Sequence, residues 1–494
     1  MSELGASTFW RPLIDQLQNC APDDPIHKCF SAGMGKDILE QADELFNLAH
    51  RKLHTFPFKD VQPCWFRLYT DASIVQVLKL LGVTSPALED SMLSESLKIH
   101  LDEVVSILDM ALIMAGGLGR EQLIHDILAK LKAANVSDEK DEERSRKRRR
   151  VDGKSGSGEI PDDLLPAESV SIPTIKFPVL QMDRPSLTKF SQHIQQIREP
   201  VVLTNTINHW PALEKWHRTS FWLDATIGGR RLVPIEVGRS YTDDDWSQKI
   251  MPFREFLSLY LLQSSDDGSS RSPRNNDQTG YLAQHDLFKQ IPALRNDIAT
   301  PDYCYLEAPP PEPNTPVALS KAKEGVKKTS HPTTIPPFPE LPDKDDADET
   351  GPGGEAQTNI WFGPAWTISP LHHDPYHNIL CQVAGRKYVR LYSPHHSKAL
   401  LPRPEDEPAP HHKPGSVDDG EQHGDTIDMS NTSQVDLAAI ELSPFEDWDE
   451  VYPGINQVPY VECVLEAGQA LYIPIGWWHY VRSCSVGISV SFWW

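Results

Sequence analysis

The sequence predicts an α+β fold in which a helical N-terminal part precedes a strand-rich C-terminal part. Apolar residues recur at helical spacing between Leu97 and Leu112, which is the period of an amphipathic helix. From about residue 170 the pattern changes to short apolar runs bounded by turn-forming residues, such as Pro200–Leu203. Such runs are typical of buried strands. The 494 residues are enough for one large core and a smaller second domain.

Composition divides the chain into a helical region, a linker and a strand-rich domain. Residues 1–135 are predicted to form an all-α domain without a catalytic constellation, so we expect a docking or scaffolding role. Residues 136–169 form a charged, flexible linker. Residues 170–494 form the strand-rich domain, and its polar segments hold too few apolar residues to order themselves. These expected disordered insertions cover 263–279, 308–356 and 402–430.

Charge and cysteine usage restrict the class of protein. The net charge of −23 argues against non-specific nucleic-acid binding by the whole surface and favours a basic protein or peptide as partner. The seven cysteines include no CxxC pair, which is typical of reduced thiols in an intracellular protein without a structural zinc site. Neither a signal-peptide pattern nor an apolar run of about 18 residues is present, so we expect a soluble, non-secreted protein without a membrane partner.

A dense basic run lies in the linker of this acidic protein. Residues 144–150 read Arg-Ser-Arg-Lys-Arg-Arg-Arg. Short basic runs flanked by flexible sequence are frequent nuclear-import signals. We therefore expect a nuclear protein, with the cytoplasm as a second location. The alternative is a solvated linker that no import receptor recognises.

A His-x-Asp motif indicates a metal site. On an extended strand, positions i and i+2 point to one face, so His372 and Asp374 can reach one ion together. His373 then faces the other way and becomes a packing residue. A distal His479 completes two imidazoles and one carboxylate, which is the facial triad of non-haem Fe(II) oxygenases. We therefore predict that His372, Asp374 and His479 are the metal ligands and the catalytic centre.

The same pattern occurs at three places, and its context separates them. His100 and Asp102 lie in the helical run, where positions i and i+2 are about 200° apart and cannot share a metal ion. His423 and Asp425 lie in a polar segment rich in Pro and Gly, where a solvated loop and loose metal binding are the alternatives. Only the middle copy lies among strand-like sequence.

Several longer motifs together resemble the JmjC (jumonji C) domain oxygenases. The resemblance is strongest to the small-JmjC subgroup, whose members are described as lysine demethylases and as arginyl hydroxylases. It implies that residues 170–494, apart from the insertions, form a double-stranded β-helix, a jelly-roll or cupin-like barrel with flanking helices. The motifs are Asn208–Ala212, Glu236–Gly238, Tyr281–His285, Trp361–Pro364, Leu371–Asn378, Gly385–Tyr388 and Ile473–Tyr480.

The resemblance also implies a pocket for 2-oxoglutarate beside Fe(II). Lys387 matches the lysine that binds the distal carboxylate of this cosubstrate. It is expected on a strand next to the metal strand, with Arg386 and Arg390 on the opposite face. Tyr281 and Ser369 correspond to the family's two hydroxyl partners of the same carboxylate. Asn378 corresponds to its polar residue near the chelating end, and Trp361 corresponds to its pocket wall.

Three residues resemble the lining of the subgroup's peptide groove, namely Glu236, Tyr241 and Trp246. A carboxylate and aromatic rings suit a cationic side chain through ion pairing and cation–π contact. A structural role in the core is an equal alternative for Trp246. The implied substrate is a Lys or Arg side chain of a basic protein, such as a histone tail.

The implied reaction uses Fe(II), 2-oxoglutarate and O2 to hydroxylate an aliphatic carbon. Hydroxylation of an N-methyl group leads to loss of formaldehyde and thus to demethylation, whereas hydroxylation of a side-chain carbon leaves a stable alcohol. Both outcomes remain open. The alternative from another class is a catalytically silent, cupin-like protein-binding module. The intact set of His372, Asp374, His479 and Lys387 argues against it, because a binding module does not need all four.

The last residues are predicted to form a final barrel strand. Ile488, Val490 and Phe492 alternate with Ser489, Ser491 and Trp493 in Gly487–Trp494. We expect the apolar set to face the flanking helices and the serines to face the metal cavity, where small side chains leave room for the cosubstrate.

Overall fold

The computed structural model describes both predicted domains. The described residues are 11–31, 38, 40–56, 58–83, 90–133, 161–165, 172–242, 246–262, 279–329, 356–404 and 429–494. No helix within these ranges is both long and apolar enough to cross a lipid bilayer. The basic run at 144–150 and the pair His423 and Asp425 lie outside the described residues.

Six α-helices form the N-terminal domain in the described part of the chain. They are α1 (Arg11–Gln18), α2 (Ile26–Ser31), α3 (Ala42–Leu53), α4 (Pro63–Leu80), α5 (Asp90–Ala115) and α6 (121–133). Pro63 begins α4, since its fixed φ suits the first helical turn. Most of α4 is buried because it lies at the centre of the domain, against α2, α3 and α5. The apolar faces of these helices form one hydrophobic core.

Thirteen strands make up the sheets of the strand-rich domain within the described ranges. They are β1 (Leu180–Asp183), β2 (Val201–Thr204), β3 (Leu232–Val237), β4 (Ser247–Pro252), β5 (Gly280–His285), β6 (Gln357–Gly363), β7 (Ile368–His372), β8 (Asn378–Ala384), β9 (Arg386–Tyr392), β10 (Tyr460–Glu466), β11 (Ala470–Ile473), β12 (Trp478–Ser483) and β13 (Gly487–Trp493).

Short helices flank these strands. They are α7 (Leu187–Gln192), α8 (Ala212–Lys215), α9 (Thr219–Ala225), α10 (Phe253–Phe256), α11 (Leu287–Gln290), α12 (Pro316–Thr329), α13 (Leu437–Leu442) and α14 (Trp448–Val451).

The described strands form two sheets. The large sheet has the order β1-β2-β11-β8-β13-β6-β5-β3-β4, and the small sheet has the order β10-β9-β12-β7. All neighbours are antiparallel except β1 and β2. From β6 to β13 the chain crosses repeatedly between the sheets, which is the connectivity of a jelly roll. The prediction of an α+β fold with a cupin-like barrel is confirmed.

Three hydrophobic layers hold the barrel together. Between the two sheets lies an inner core that includes Leu380, Leu391 and Ile473. The outer face of the large sheet packs on the flanking helices through residues such as Trp222 and Phe362. The outer face of the small sheet is covered by the segment from residue 433 to 458. The sheets are therefore buried on both faces, and the polar site lies inside the barrel between them.

The helical domain packs directly onto the strand-rich domain. Ile227 belongs to the hydrophobic core of the helices, and Asp109 of α5 forms a buried ion pair with Arg231. Residues 161–165, expected to be linker, also pack on the strand-rich domain, where Leu164 is buried and Thr219 donates a hydrogen bond to the Pro161 carbonyl. The linker predicted for 136–169 thus extends too far. The polar composition of this stretch obscured Leu164, whose apolar side chain packs on the strand-rich domain.

Two of the predicted insertions also begin too early. Within 308–356, the helix α12 is present, and Thr315 and Val317 are buried. Within 402–430, the Arg403 backbone N–H donates to the Thr432 carbonyl. Proline-rich composition led to the prediction of disorder, but a few buried side chains and backbone hydrogen bonds order the ends of both segments.

Candidate metal centre and cosubstrate pocket

The structure brings the three predicted metal ligands together. His372 is the last residue of β7, and it lies opposite His479 of β12 in the antiparallel register. Their ring centroids are 4.2 Å apart. Asp374 follows two residues later, and one ligand atom from each of the three side chains lies within 4.8 Å of the others. All three residues are buried, so this cluster lies inside the barrel.

Hydrogen bonds fix which imidazole nitrogen faces the cluster. The Nδ1 of His372 donates to the Pro370 carbonyl at 2.7 Å, and the Nδ1 of His479 donates to the Trp477 carbonyl at 3.0 Å. Both Nε2 atoms therefore point toward Asp374, at 3.9 Å and 3.5 Å from its carboxylate oxygens. Backbone carbonyls orient metal-binding histidines in this way. Two imidazoles and a carboxylate with open positions suit a divalent first-row metal such as Fe(II).

The protonation states also suit a metal. Burial, with a contribution from His479, lowers the pKa of His372 to about 4, so its imidazole is neutral at neutral pH. Burial alone would raise the pKa of Asp374, but the hydrogen bond with His479 and the neighbouring imidazoles lower it. A neutral imidazole and an ionised carboxylate are the forms that bind cations.

One detail differs from the strand-based prediction. The strand β7 ends at His372, so Asp374 reaches the cluster from the following loop and not from a continuous strand. His373 faces away as expected, with its ring edge-on to Trp478 at a centroid distance of 4.6 Å. The alternation of side chains therefore holds for His372 and His373, while a turn places the carboxylate.

The first His-x-Asp copy is helical, as predicted. His100 lies in α5, 3.4 Å from Glu103. Asp102 forms ion pairs with Arg230 and Arg254 of the strand-rich domain. This copy therefore contributes to the contact between the domains and not to a metal cluster.

Lys387 lies deep inside the barrel. It is only 2% exposed, and its Nζ donates to the Tyr281 hydroxyl at 3.1 Å. The rings of Tyr281 and Trp361 lie 5.6 Å and 5.9 Å from the Nζ. Burial lowers the pKa of Lys387 to about 7, and among the described residues no carboxylate forms an ion pair with it. A buried cation without an acidic partner is costly, so this pocket favours an anionic ligand.

The strand that carries Lys387 lies elsewhere than expected. Its neighbours are β10 and β12, so β9 lies beside the strand of His479 and two strands from β7. The turn before it requires Gly385, which has a φ of +72° and whose Cβ, if present, would collide with the Val486 carbonyl. This tight turn sets the register in which Lys387 faces inward, while Arg386 pairs with Glu466 on the outer face.

Of the remaining residues of the predicted 2-oxoglutarate pocket, Tyr281 and Trp361 contact Lys387 directly. The Tyr281 hydroxyl also interacts with Ser369, and burial raises its pKa above the ordinary value. The Trp361 indole donates to Ser491 of β13 at 2.9 Å. Asn378 is buried, and its side-chain oxygen has no hydrogen-bond partner within the described part of the protein. Such an orphaned polar atom is expected where a ligand completes the hydrogen bonding.

The predicted groove residues lie on the same side of the barrel. Glu236 is opposite Tyr281 in the register of β3 and β5. Burial raises the pKa of Glu236 to about 7, and a hydrogen bond with Trp246 opposes this rise. The Tyr241 hydroxyl lies 3.3 Å from the Thr432 hydroxyl, and its pKa is raised by burial and by the charges of Asp374 and Glu236. Glu236 therefore lies beside Tyr281 of the Lys387 pocket and close to Trp246, and Tyr241 lies close enough to Asp374 and Glu236 for their charges to act on it.

Sequence reasoning missed the segment that borders the metal strand. Thr432 bridges to His372 along the free edge of β7, and the Ser433 N–H donates to the Leu371 carbonyl. This segment directly follows the predicted insertion and begins with polar residues. Its composition therefore did not distinguish it from the insertion. The alternation of Ser433, Val435 and Leu437 after it was the available signal for an edge segment.

Comparisons with known proteins agree with this geometry. The family described as "Cupin-like domain" matches residues 187–494. Lysine-specific demethylase 8 of Danio rerio is 32% identical, covering 92% of this chain and 87% of that relative. Lysine-specific demethylase 8 of Xenopus tropicalis and Jumonji C domain-containing protein 5 of Drosophila melanogaster are each 35% identical, covering 66% and 64% of this chain. Those two alignments span only 56% and 59% of the relatives' own lengths. With its barrel and this degree of similarity, the chain belongs to the cupin-like JmjC family of oxygenases.

Proposed function

We propose that this protein is an Fe(II)- and 2-oxoglutarate-dependent oxygenase that hydroxylates a Lys or Arg side chain of a protein substrate. The single observation that carries the proposal is the pairing of two features inside one barrel. A buried set of His372, Asp374 and His479 offers three ligands to a divalent metal, and the buried Lys387 ammonium lacks an acidic partner among the described residues.

The chain's own residues bind and orient the reactants. Lys387 holds the distal carboxylate of 2-oxoglutarate through a charge-assisted hydrogen bond. Tyr281 and Ser369 add hydroxyl donors to the same carboxylate, and the Asn378 side-chain amide, whose O and N atoms can exchange places by a flip, donates a hydrogen bond near the chelating end. Trp361 closes one wall and excludes water. Fe(II) bound by the triad together with 2-oxoglutarate supplies the activation of O2 and the oxidation of a C–H bond.

The groove residues support a cationic substrate. Glu236 is a largely buried carboxylate close to Trp246, and it gains a counter-ion when a Lys or Arg side chain enters. The Tyr241 hydroxyl contacts Thr432, and the ring lies near the charges of Glu236 and Asp374. Relatives are named lysine-specific demethylases, which supports a protein side chain as substrate. Demethylation and stable hydroxylation use the same first step, so both remain within the proposal.

We also place the protein in the nucleus, with a fraction in the cytoplasm. The basic run at 144–150 supports import. The net charge of −23 supports a basic protein substrate such as a histone tail.

Mass spectrometry of candidate peptides tests the function. Peptides with Arg, Lys or N-methyl-lysine are incubated with protein, Fe(II) and 2-oxoglutarate, in air and without O2. We expect an O2-dependent gain of one oxygen atom or loss of one methylene unit, and no change with the Asp374→Ala variant. Equal products from wild type and Asp374→Ala would contradict the proposal.

A further inference from the structure

The helical domain inserts one buried carboxylate into the strand-rich domain. Asp109 of α5 is fully buried, and its carboxylate accepts hydrogen bonds only from the strand-rich domain among the described contacts. The Arg231 guanidinium donates to both oxygens, at 2.8 Å and 2.9 Å. The Leu232 N–H donates at 2.8 Å, and the Gln290 amide donates at 3.0 Å. A charge buried with this many donors is held in one geometry.

These donors lie in or next to the two strands that carry the predicted binding residues, since Arg231 precedes β3 and Gln290 ends α11. Leu232 begins β3, whose fifth residue is Glu236. Gln290 bridges to the neighbouring strand, because its side-chain oxygen contacts the His285 Nε2 at 2.7 Å. His285 is the last residue of β5, whose second residue is Tyr281. Antiparallel pairing places both anchored ends together, roughly 13 Å from Glu236 and Tyr281 at 3.3 Å per residue.

The position of these strands explains why an external anchor is needed. In the large sheet, β5, β3 and β4 lie at one end, beyond the barrel strands β6 and β13. The pairing of β5 with β6 is interrupted by a register shift between Leu282 and His285. The sheet alone therefore fixes β3 and β5 less firmly than the central strands. The buried ion pair of Asp109 with Arg231 restricts movement of β3 and β5, since a displacement that left Arg231 unpaired would cost free energy.

We propose that Asp109 is a positioning residue for the oxygenase site. Through Arg231, Leu232 and Gln290 it fixes the placement of β3 and β5, and thereby the positions of Tyr281 beside Lys387 and of Glu236 at the groove. The helical domain is then an integral part of the cosubstrate pocket, in addition to any docking role. This inference rests on the proposed function, since it assigns a role to the pocket for 2-oxoglutarate.

Titration calorimetry of the full chain with 2-oxoglutarate and Mn2+, a metal that does not support turnover, provides the test. We expect Asp109→Asn to weaken 2-oxoglutarate binding by about 10- to 100-fold, because small displacements of positioning groups have effects of this size. Mn2+ affinity should stay as in wild type, since His372 and His479 lie on the other sheet. Hydrogen exchange should become faster in 232–237 and 280–285 but not in 478–483.

Asp102→Asn is the matched control. Asp102 lies two turns earlier on the same helix and also pairs across the domains, with Arg230 and Arg254, but it is exposed. Its loss should leave 2-oxoglutarate affinity unchanged, since exposed ion pairs contribute little. If the Asp109→Asn variant does not fold, the Gln290→Leu variant provides the test. It removes the hydrogen bond between Gln290 and His285 and leaves the ion pair of Asp109 with Arg231. That variant should also bind 2-oxoglutarate more weakly with Mn2+ affinity retained.

The outcomes separate this inference from the proposed function. Wild type that binds Mn2+ but not 2-oxoglutarate would contradict the proposed function. Wild type that binds both, with unchanged 2-oxoglutarate affinity in a folded Asp109→Asn variant, would overturn the positioning role alone. Parallel losses of Mn2+ and 2-oxoglutarate affinity would also overturn it, because they would indicate a general loss of stability.

Discussion

At the scale of single residues, the site is defined by two buried ionisable side chains for which the described part of the chain offers no oppositely charged partner. Lys387 has hydroxyl and aromatic neighbours in place of a carboxylate. Glu236 has an indole neighbour in place of a cation. Each burial costs free energy that an opposite charge on a bound molecule would offset. The two residues therefore support the proposed anionic cosubstrate inside the barrel and the proposed cationic substrate at its groove.

Replacing Lys387 tests the anionic pocket. Lys387→Ala should weaken 2-oxoglutarate binding by about 100-fold or more, since removing one partner of a buried charge pair costs about 3–5 kcal/mol. Titration calorimetry in the presence of Mn2+ measures this, and metal affinity should be retained. Arg386→Ala is the matched control, because Arg386 is adjacent but pairs with Glu466 on the outer face. Equal affinities of the Lys387→Ala variant and wild type would remove Lys387 from the pocket.

The pKa of Lys387 predicts a pH dependence. Burial lowers this pKa from its ordinary value to about 7, so the free protein loses the ammonium charge as pH rises through 7. Binding of a dianion requires that charge, so binding takes up a proton above pH 7. The dissociation constant of 2-oxoglutarate should rise by up to about tenfold per pH unit there and level off below. Lys387→Arg, which stays charged, should give a flat profile across pH 6.5–8.5. A flat wild-type profile would contradict this account.

At the scale of elements, the site depends on how strands are paired. The final strand β13 lies between β6 and β8 in the large sheet. Its apolar side chains join the core against the helices, while Ser489 and Ser491 face inward and bond to Gln382 and Trp361. The predicted alternation of this strand is confirmed. The strand β13 thus also supports Trp361, the predicted wall of the cosubstrate pocket, through the Ser491 hydroxyl.

Truncation tests this element. Removal of residues 487–494 exposes the edges of β6 and β8 and frees Trp361 from Ser491, so we expect insoluble or inactive protein. The matched control replaces residues 406–427, which lie outside the described ranges, by a short Gly-Ser linker, and this variant should retain turnover. Solubility and succinate formation from 2-oxoglutarate are the measurements. A soluble, active truncated protein would contradict the barrel position of β13.

The sequence predicts the elements of the site better than their connections. Alternation and spacing were sufficient to select His372 over His100, because strand and helix periods differ. The placement of Asp374 beyond the strand and the position of β9 were not predictable. They depend on turns and sheet order, which bring together residues far apart in sequence. The ion pair of Asp109 with Arg231 was missed for the same reason.

At the scale of the whole molecule, an acidic protein carries a short basic segment between its two domains. The net charge is −23, while residues 144–150 hold six basic side chains. The two domains are joined by buried contacts at α5 and β3. The basic run therefore lies in sequence between two parts that pack together, and we expect the proposed nuclear import to be separable from catalysis.

Replacement of Lys147–Arg150 by Ala tests this separation. We expect a fluorescently tagged protein to shift from the nucleus to the cytoplasm, because an import receptor loses its charged partners. Succinate formation by the purified variant should match that of wild type. Imaging of Lys79→Ala, which removes a partly exposed basic residue of the helical domain, controls for loss of positive charge. An unchanged nuclear fraction would leave the run as a linker.

The central claim is that His372, Asp374 and His479 hold a metal that uses 2-oxoglutarate and O2. The most direct measurement is O2-dependent succinate formation by purified protein with Fe(II), compared among wild type, Asp374→Ala and His100→Ala. We predict turnover in wild type and in His100→Ala, and none in a folded Asp374→Ala protein. Turnover of Asp374→Ala equal to that of wild type, or no O2-dependent succinate from wild type, would contradict the claim.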